Sequence, residues 1–143
     1  MKDDTIKLLR ECDAGIKMGI LSLKDALQYI KDIHLKDLIS NSIERHLNLE
    51  ERTNKYLNNC GDDGKEPATM AKMMSKLKTN IKLGGENSDR SVADLITDGC
   101  NMGTKTLYKY LHQYKAADNE VKKIVGEIIK EEEELIQDLR KYL

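Results

Sequence analysis

Three histidines, three cysteines and the run Glu131–Glu134 are the residues of this 143-residue chain with the plainest capacity for chemistry. Imidazole and carboxylate donors gathered in one small volume are what a hard or borderline cation needs. An atypical metal site would draw on His46, Glu50 and Glu132, with acids such as Glu11, Asp13, Asp94 and Asp98 beside them. The glutamate run is weaker than it looks. Consecutive residues on a helix point in four directions, so most of it belongs to a solvated face. Cys12, Cys60 and Cys100 lie far apart, odd in number and without a Cys-x-x-Cys pair, which favours reduced thiols over a disulfide framework. Cys12 and Cys100 are expected to behave as small buried apolar groups. No Ser/His/Asp or Cys/His arrangement can be assembled, and no Gly-rich phosphate loop follows a strand.

The elements that must position these groups are helical throughout. A charged fraction of 34% with 4% aromatics and no Trp or Phe does not suit a sandwich or barrel, whereas it does suit helices with apolar stripes. With 24 basic against 25 acidic residues, there is no field for nucleic acid or an anionic membrane. No stretch approaches the roughly 18 apolar residues of a spanning helix, and Met1-Lys2-Asp3-Asp4 runs directly into charged helical sequence. A cytoplasmic protein is expected.

The first helix is predicted from about Thr5 to Gln28–Ile30, with the stripe Ile6, Leu9, Cys12, Ile16, Ile20, Leu23, Leu27 and Ile30. The second, from about Leu35 to Asn59, carries Leu35, Ile39, Ser42, His46, Leu49, Thr53 and Tyr56 at alternating steps of four and three. The third starts after the capping types Ser88–Asp89 and runs to about Ala117, with Val92, Leu95, Gly99, Met102 or Gly103, Leu107, Tyr110 and Tyr114 on its stripe. The fourth starts at about Asp118–Asn119 and carries Val121, Val125, Ile128, Glu132, Leu135, Leu139 and Tyr142. Short turns inside each pair make two helical hairpins, and the chain (1–143) reads as one all-α four-helix bundle: hairpin 5–59, crossover 60–90, hairpin 91–143.

The halves resemble each other. Cys12-x-x-Gly15-x-Lys17 recurs as Cys100-x-x-Gly103-x-Lys105, 88 positions on, and the second and fourth helices align at a shift of 86, which sets His46 on Glu132. Such ordered matches point to a duplicated hairpin. Between the halves, the basic Met-rich stretch 68–83 is predicted to form a short extra helix, which either packs on the bundle or binds a partner. A connection of that length returns the chain to its starting end and makes the second and third helices parallel.

Two hairpins, a long crossover and inward polar residues on the second and fourth helices resemble the ferritin-like superfamily, and more narrowly uncharacterised bacterial bundles related to bacterioferritin and rubrerythrin. The segments carrying the resemblance are 8–19, 44–50 and 95–103. It implies a ferritin-like bundle and, for active members, a di-iron or di-manganese centre with a Glu from each of two helices and Glu-x-x-His from each of the other two. The sequence departs from that pattern. Ile43, not Glu, precedes His46 by three, the fourth helix has no histidine, and Lys17 and Lys105 stand where the resemblance places carboxylates. A lysine cannot replace a carboxylate ligand, and its charge repels a cation.

The expected content of the bundle's centre is therefore a polar cluster rather than a metal. Either His46 and Glu132 face inward and pair, joined by Lys17 or Lys105, or both lean to the bundle's edge and reach water. Gly15-x-x-x-Gly19 and Gly99-x-x-x-Gly103 place four glycines inside helices at about 0.8–1 kcal/mol each relative to Ala. The compensation expected is close backbone packing, or room for a neighbour such as Tyr110 or for a ligand. The functional expectation is a non-catalytic, cofactor-free bundle acting through protein contacts as a homo-oligomer such as a dimer. The alternative is a metal-binding oxidoreductase or storage protein using Fe or Mn.

Overall fold

The structure is a computed structural model that describes residues 2–64 and 88–143. The segment between them holds the basic Met-rich stretch and most of the crossover, so the expectation of a short extra helix lies outside the described residues. Four helices make up the described chain: α1 (Lys2–Leu27), α2 (Ile33–Asn59), α3 (Ser88–Gln113) and α4 (Asn119–Leu139), the last running into a 3-10 turn at Arg140–Tyr142. No strand occurs among the described residues.

Local chemistry sets the helix ends. Asp32 caps α2, its carboxylate accepting the Leu35 N–H at 2.9 Å. At the other end of α2, Gly61 adopts φ +74°, and the N–H groups of Asp62 and Gly61 bond the carbonyls of Leu57 and Asn58, both at 3.0 Å. That is a Schellman stop, in which a left-handed glycine lets the chain satisfy its last carbonyls.

α1 and α2 form one hairpin and α3 and α4 the other, with α1 lying on α3 and α2 on α4. Side chains clamp the hairpins together at both ends. Asp89, in the first turn of α3, accepts the backbone N–H groups of Lys31 and Asp32 at 2.7 and 3.1 Å. At the opposite end, Thr5 Oγ accepts the Asp118 N–H at 2.9 Å and Asp4 accepts that of Ala116 at 3.1 Å. The start of α3 thus meets the end of α1, and the start of α1 meets the end of α3. These two helices are antiparallel, and α2 points the same way as α3.

The buried set of α2 and α4 follows the sequence stripes closely. Leu35, Ile39, Ser42, His46, Leu49 and Thr53 are buried, as are Val121, Val125, Ile128, Leu135 and Leu139. α3 departs from its predicted stripe. Its buried residues are Val92, Ala93, Ile96, Cys100 and Leu107, while Leu95 is only half-buried and Met102 is 67% exposed. The real seam is rotated by about one residue, because Ala93 and Ile96 pack against the end of α4 more completely than Leu95 can.

The apolar interior falls into two clusters. One includes Leu9, Ile16, Leu49 and Val125 near the α1 start; the other includes Leu23, Ile39, Ile96 and Leu135 near the α1–α2 turn. Between them, at mid-height, stand His46, Ser42 and Glu131, all buried, together with Glu132.

Candidate functional site

The mid-height polar layer is built from α2 and α4. His46 is 3% exposed, and its Nδ1 lies 2.7 Å from the carbonyl oxygen of Ser42, one turn earlier. A carbonyl only accepts, so Nδ1 carries the proton and Nε2 holds a lone pair when the ring is neutral. Burial pushes the imidazole below its ordinary pKa, against the bond to Ser42 and the charge of Glu131, which act the other way. Ser42 Oγ donates to Glu131 Oε1 at 3.0 Å, and Arg45 Nε donates to Glu131 Oε2 at 2.7 Å. Glu131 is 6% exposed, so this pair of bonds joins the two hairpins where water is scarce.

Across each hairpin, the inward polar residue lies on a glycine. A Cβ built on Gly19 would sit 3.3 Å from His46 Cδ2 and 3.4 Å from its Nε2. One built on Gly103 would sit 2.8 Å from both carboxyl oxygens of Glu132. Gly15 and Gly99 meet nothing within 4 Å. The glycine pairs therefore do two jobs: Gly19 and Gly103 make room for a side chain of the partner helix, and their counterparts one turn away do not. Tyr110 stacks on Tyr114, with ring centroids 5.9 Å apart.

Glu132 is the most unusual group in the layer. Its Oε2 is buried and has no hydrogen-bond partner among the described residues. Burial, helped by the charge of adjacent Glu131, pushes its carboxyl up to about 8 from the ordinary 4.5. Cys100, on α3, is likewise held protonated by burial and by the charges of Glu132 and Glu131. Cys12 is pushed up to about 12, by burial first and then by Glu11 and Asp13. Both thiols are buried, as the sequence reading expected.

The expected cluster of His46, Glu132, Lys17 and Lys105 does not form. No bond joins His46 to Glu132; the residue that ties α2 to α4 is Glu131, through Ser42 and Arg45. Lys17 is bonded to Asp13 at 2.9 Å, and Lys105 is exposed. The physical reason is the register of the repeat. The matched Cys-x-x-Gly-x-Lys segments imply a shift of 88, which aligns Gly15 with Gly103. Burial and contact instead align Gly19 with Gly103 and Gly15 with Gly99, a shift of 84. That register sets Leu8, Leu9, Cys12, Ile16 and Leu23 on Val92, Ala93, Ile96, Cys100 and Leu107, all buried. It sets Lys17 on Asn101 and Lys105 on Leu21, none of which is buried. The shift of 86 between α2 and α4 stands.

One site residue, Glu131, is missed by the sequence pattern, and the burial of another, the candidate acid Asp13, has no signal in it. The run Glu131–Glu134 reads as mostly solvated face, yet only Glu133 and Glu134 are exposed. The sequence holds one signal for it: Arg45 and Glu131 are 86 apart, so they are equivalent in the repeat and opposite in charge. Asp13 is 0% exposed, packed beside Gly64 and ion-paired to Lys17. Its burial had no counterpart to flag it.

A dinuclear iron or manganese centre in a four-helix bundle draws carboxylates from all four helices. At the height of His46 and Glu132, α1 and α3 bring glycine backbone, where such a centre needs carboxylates. Glu131 is held by Arg45, whose fixed positive charge opposes a cation. Glu50 lines a shallow surface depression on α2 with Leu47, Glu51 and Asn54. Among the described residues, no three of His, Cys, Asp and Glu are grouped to hold a metal ion. This donor set does not fit a dinuclear centre.

No helix among the described residues is long and apolar enough to cross a membrane. Comparison with family models, curated proteins and solved structures gave no match to this chain.

Proposed function

We propose that this chain is a ferritin-like bundle whose centre serves packing rather than metal chemistry, and that it acts through protein contacts by self-association. The observation that carries the reading is how the mid-height polar groups are used. Both oxygens of Glu131 are taken by Ser42 and Arg45, and glycines cover His46 and Glu132. Parallel α2 and α3, two hairpins and a long connection support the ferritin-like arrangement. Self-association draws support from apolar side chains left in water: Ile33, Met102 and Leu143 are 68%, 67% and 51% exposed. The role is that of a bundle without a cofactor, in the cytoplasm.

The test uses untagged protein. Light scattering after size exclusion is expected to give a mass of two or more chains, and elemental analysis is expected to give iron, manganese and zinc well below one atom per chain. A monomer at all concentrations refutes the self-association. A stoichiometric metal lost in His46→Ala and Glu132→Ala refutes the cofactor-free centre and installs the metal-binding alternative built on His46, Glu50 and Glu132.

A further inference from the structure

We propose that the α3–α4 hairpin is a proton-controlled joint: protonated Glu132 lies flat on the Gly103 backbone with the hairpin closed, and loss of that proton drives the side chain outward and loosens α3 from α4 at mid-height.

The geometry supplies the device. A carboxylate buried without a donor is costly to ionise, because neither water nor a hydrogen bond offsets its lost hydration. Glu132 Oε2 is in that position, buried and unpartnered among the described residues, while the residue as a whole is half-buried. The carboxyl also lies so close to α3 that a single methyl on Gly103 would collide with both of its oxygens, at 2.8 Å. There is no room for a counter-ion between them.

The surrounding charges do not relieve it. On α4 the neighbouring group is Glu131, which repels, and which Arg45 and Ser42 of α2 already hold. α3 brings the Cys100 thiol, itself kept protonated, and Lys105 is turned to solvent. α2 further brings His46, whose Nδ1 proton goes to the Ser42 carbonyl. α1 contributes the Lys17–Asp13 ion pair. Of all these, Glu131 alone acts on Glu132 by charge, and its sign is unfavourable.

The sign of the response follows from linkage. An acid whose pKa is higher in the closed state than in the open one favours closure below the open-state value and loses that advantage as pH rises. With an open-state pKa near the ordinary 4.5 and a closed-state value of about 8, the hairpin loosens progressively across that interval and no further above it. The matching joint in the α1–α2 hairpin holds an imidazole against Gly19 in place of a carboxyl, so it has no such alkaline response.

Hydrogen exchange by mass spectrometry between pH 5 and 9, corrected for intrinsic rates, tests the joint. Amides of 99–107 and 128–136 are expected to lose at least about tenfold in protection between pH 6 and 8 and then level off. Amides of 12–20 and 42–50 are expected to change several-fold less. Glu132→Gln and Gly103→Ala are both expected to abolish the slope, the first by removing the proton and the second by forcing the carboxyl into water. Carbon-13 NMR of the Glu132 carboxyl in the unsubstituted protein gives an independent reading, with a midpoint expected near 8. A midpoint below 5, an equal loss of protection in both hairpins, or a slope that survives in Glu132→Gln overturns the proposal.

Discussion

The four interior glycines give the sharpest test of how the bundle is assembled. Replacing Gly15 or Gly99 by Ala adds a methyl that meets nothing within 4 Å, so only the helix propensity changes. That term favours Ala by about 0.8–1 kcal/mol at each position, through the backbone entropy that glycine loses on folding. The two sites lie on different helices, so the double variant should gain about 1.6–2 kcal/mol. In a domain of this size, the single variants should melt about 3–5 °C higher. Gly19→Ala and Gly103→Ala carry the same propensity gain against a collision. At Gly19 the new methyl meets the buried His46 ring at 3.3 Å, and the ring must give by a few tenths of an ångström, leaving the net change near zero. At Gly103 it meets the Glu132 carboxyl at 2.8 Å, and the side chain must leave its place. In a Glu132→Ala background that obstacle is gone, and Gly103→Ala should recover the full gain of about 1 kcal/mol. Urea denaturation followed by circular dichroism at 222 nm, for the four single variants and the Gly103/Glu132 cycle, measures all of this. Gly15 and Gly99 should behave alike, whereas Gly19 and Gly103 should each fall short of them. If Gly15→Ala destabilises the protein, or if Gly103→Ala gains as much as Gly99→Ala without the second substitution, the contacts inferred for the polar layer are wrong.

Two further outcomes follow from the same layer. His46 is held neutral by burial, so the folded state binds fewer protons there than the unfolded state once pH falls below the ordinary 6.5. The His46 contribution to stability should therefore fall with acidification from pH 6.5, opposite in sign to that of Glu132, and it is read as the difference between the unsubstituted protein and His46→Gln in denaturation midpoints taken between pH 5 and 7.5. Arg45→Met leaves the buried Glu131 with Ser42 alone, and should cost about 1–3 kcal/mol by urea denaturation. Its exposure, with the Arg45 side chain 48% accessible, holds the loss to that range, and adding Glu131→Gln should restore much of it.

Much of the architecture is legible in the residues themselves. The steps of four and three along 35–56 and 121–142 place one side of each helix in an apolar seam whatever the partner, so α2 and α4 follow from periodicity, whereas it does not decide whether His46 is sealed inside or reaches water at the edge. The ends of α2 follow from Asp32 and Gly61 for the same local reason, since caps are set by backbone groups within a few residues. α3 is less legible. Gly99, Met102 and Gly103 blur its stripe, and only packing against α4 decides that Ile96 rather than Leu95 goes inside.

The polar layer marks where local reasoning ends. The sequence determined that His46 and Glu132 interrupt apolar seams, and that the helices facing them carry paired glycines. It did not determine which glycine faces which side chain, because a shift of 84 and one of 88 differ by a single turn and leave the helical period almost unchanged. Tertiary structure decided it, and with it the partners: His46 on Gly19, Glu132 on Gly103, and Glu131 with Arg45 and Ser42. Helical period fixes the face a residue occupies, whereas the height at which two helices meet depends on how whole hairpins dock, and no local preference encodes that.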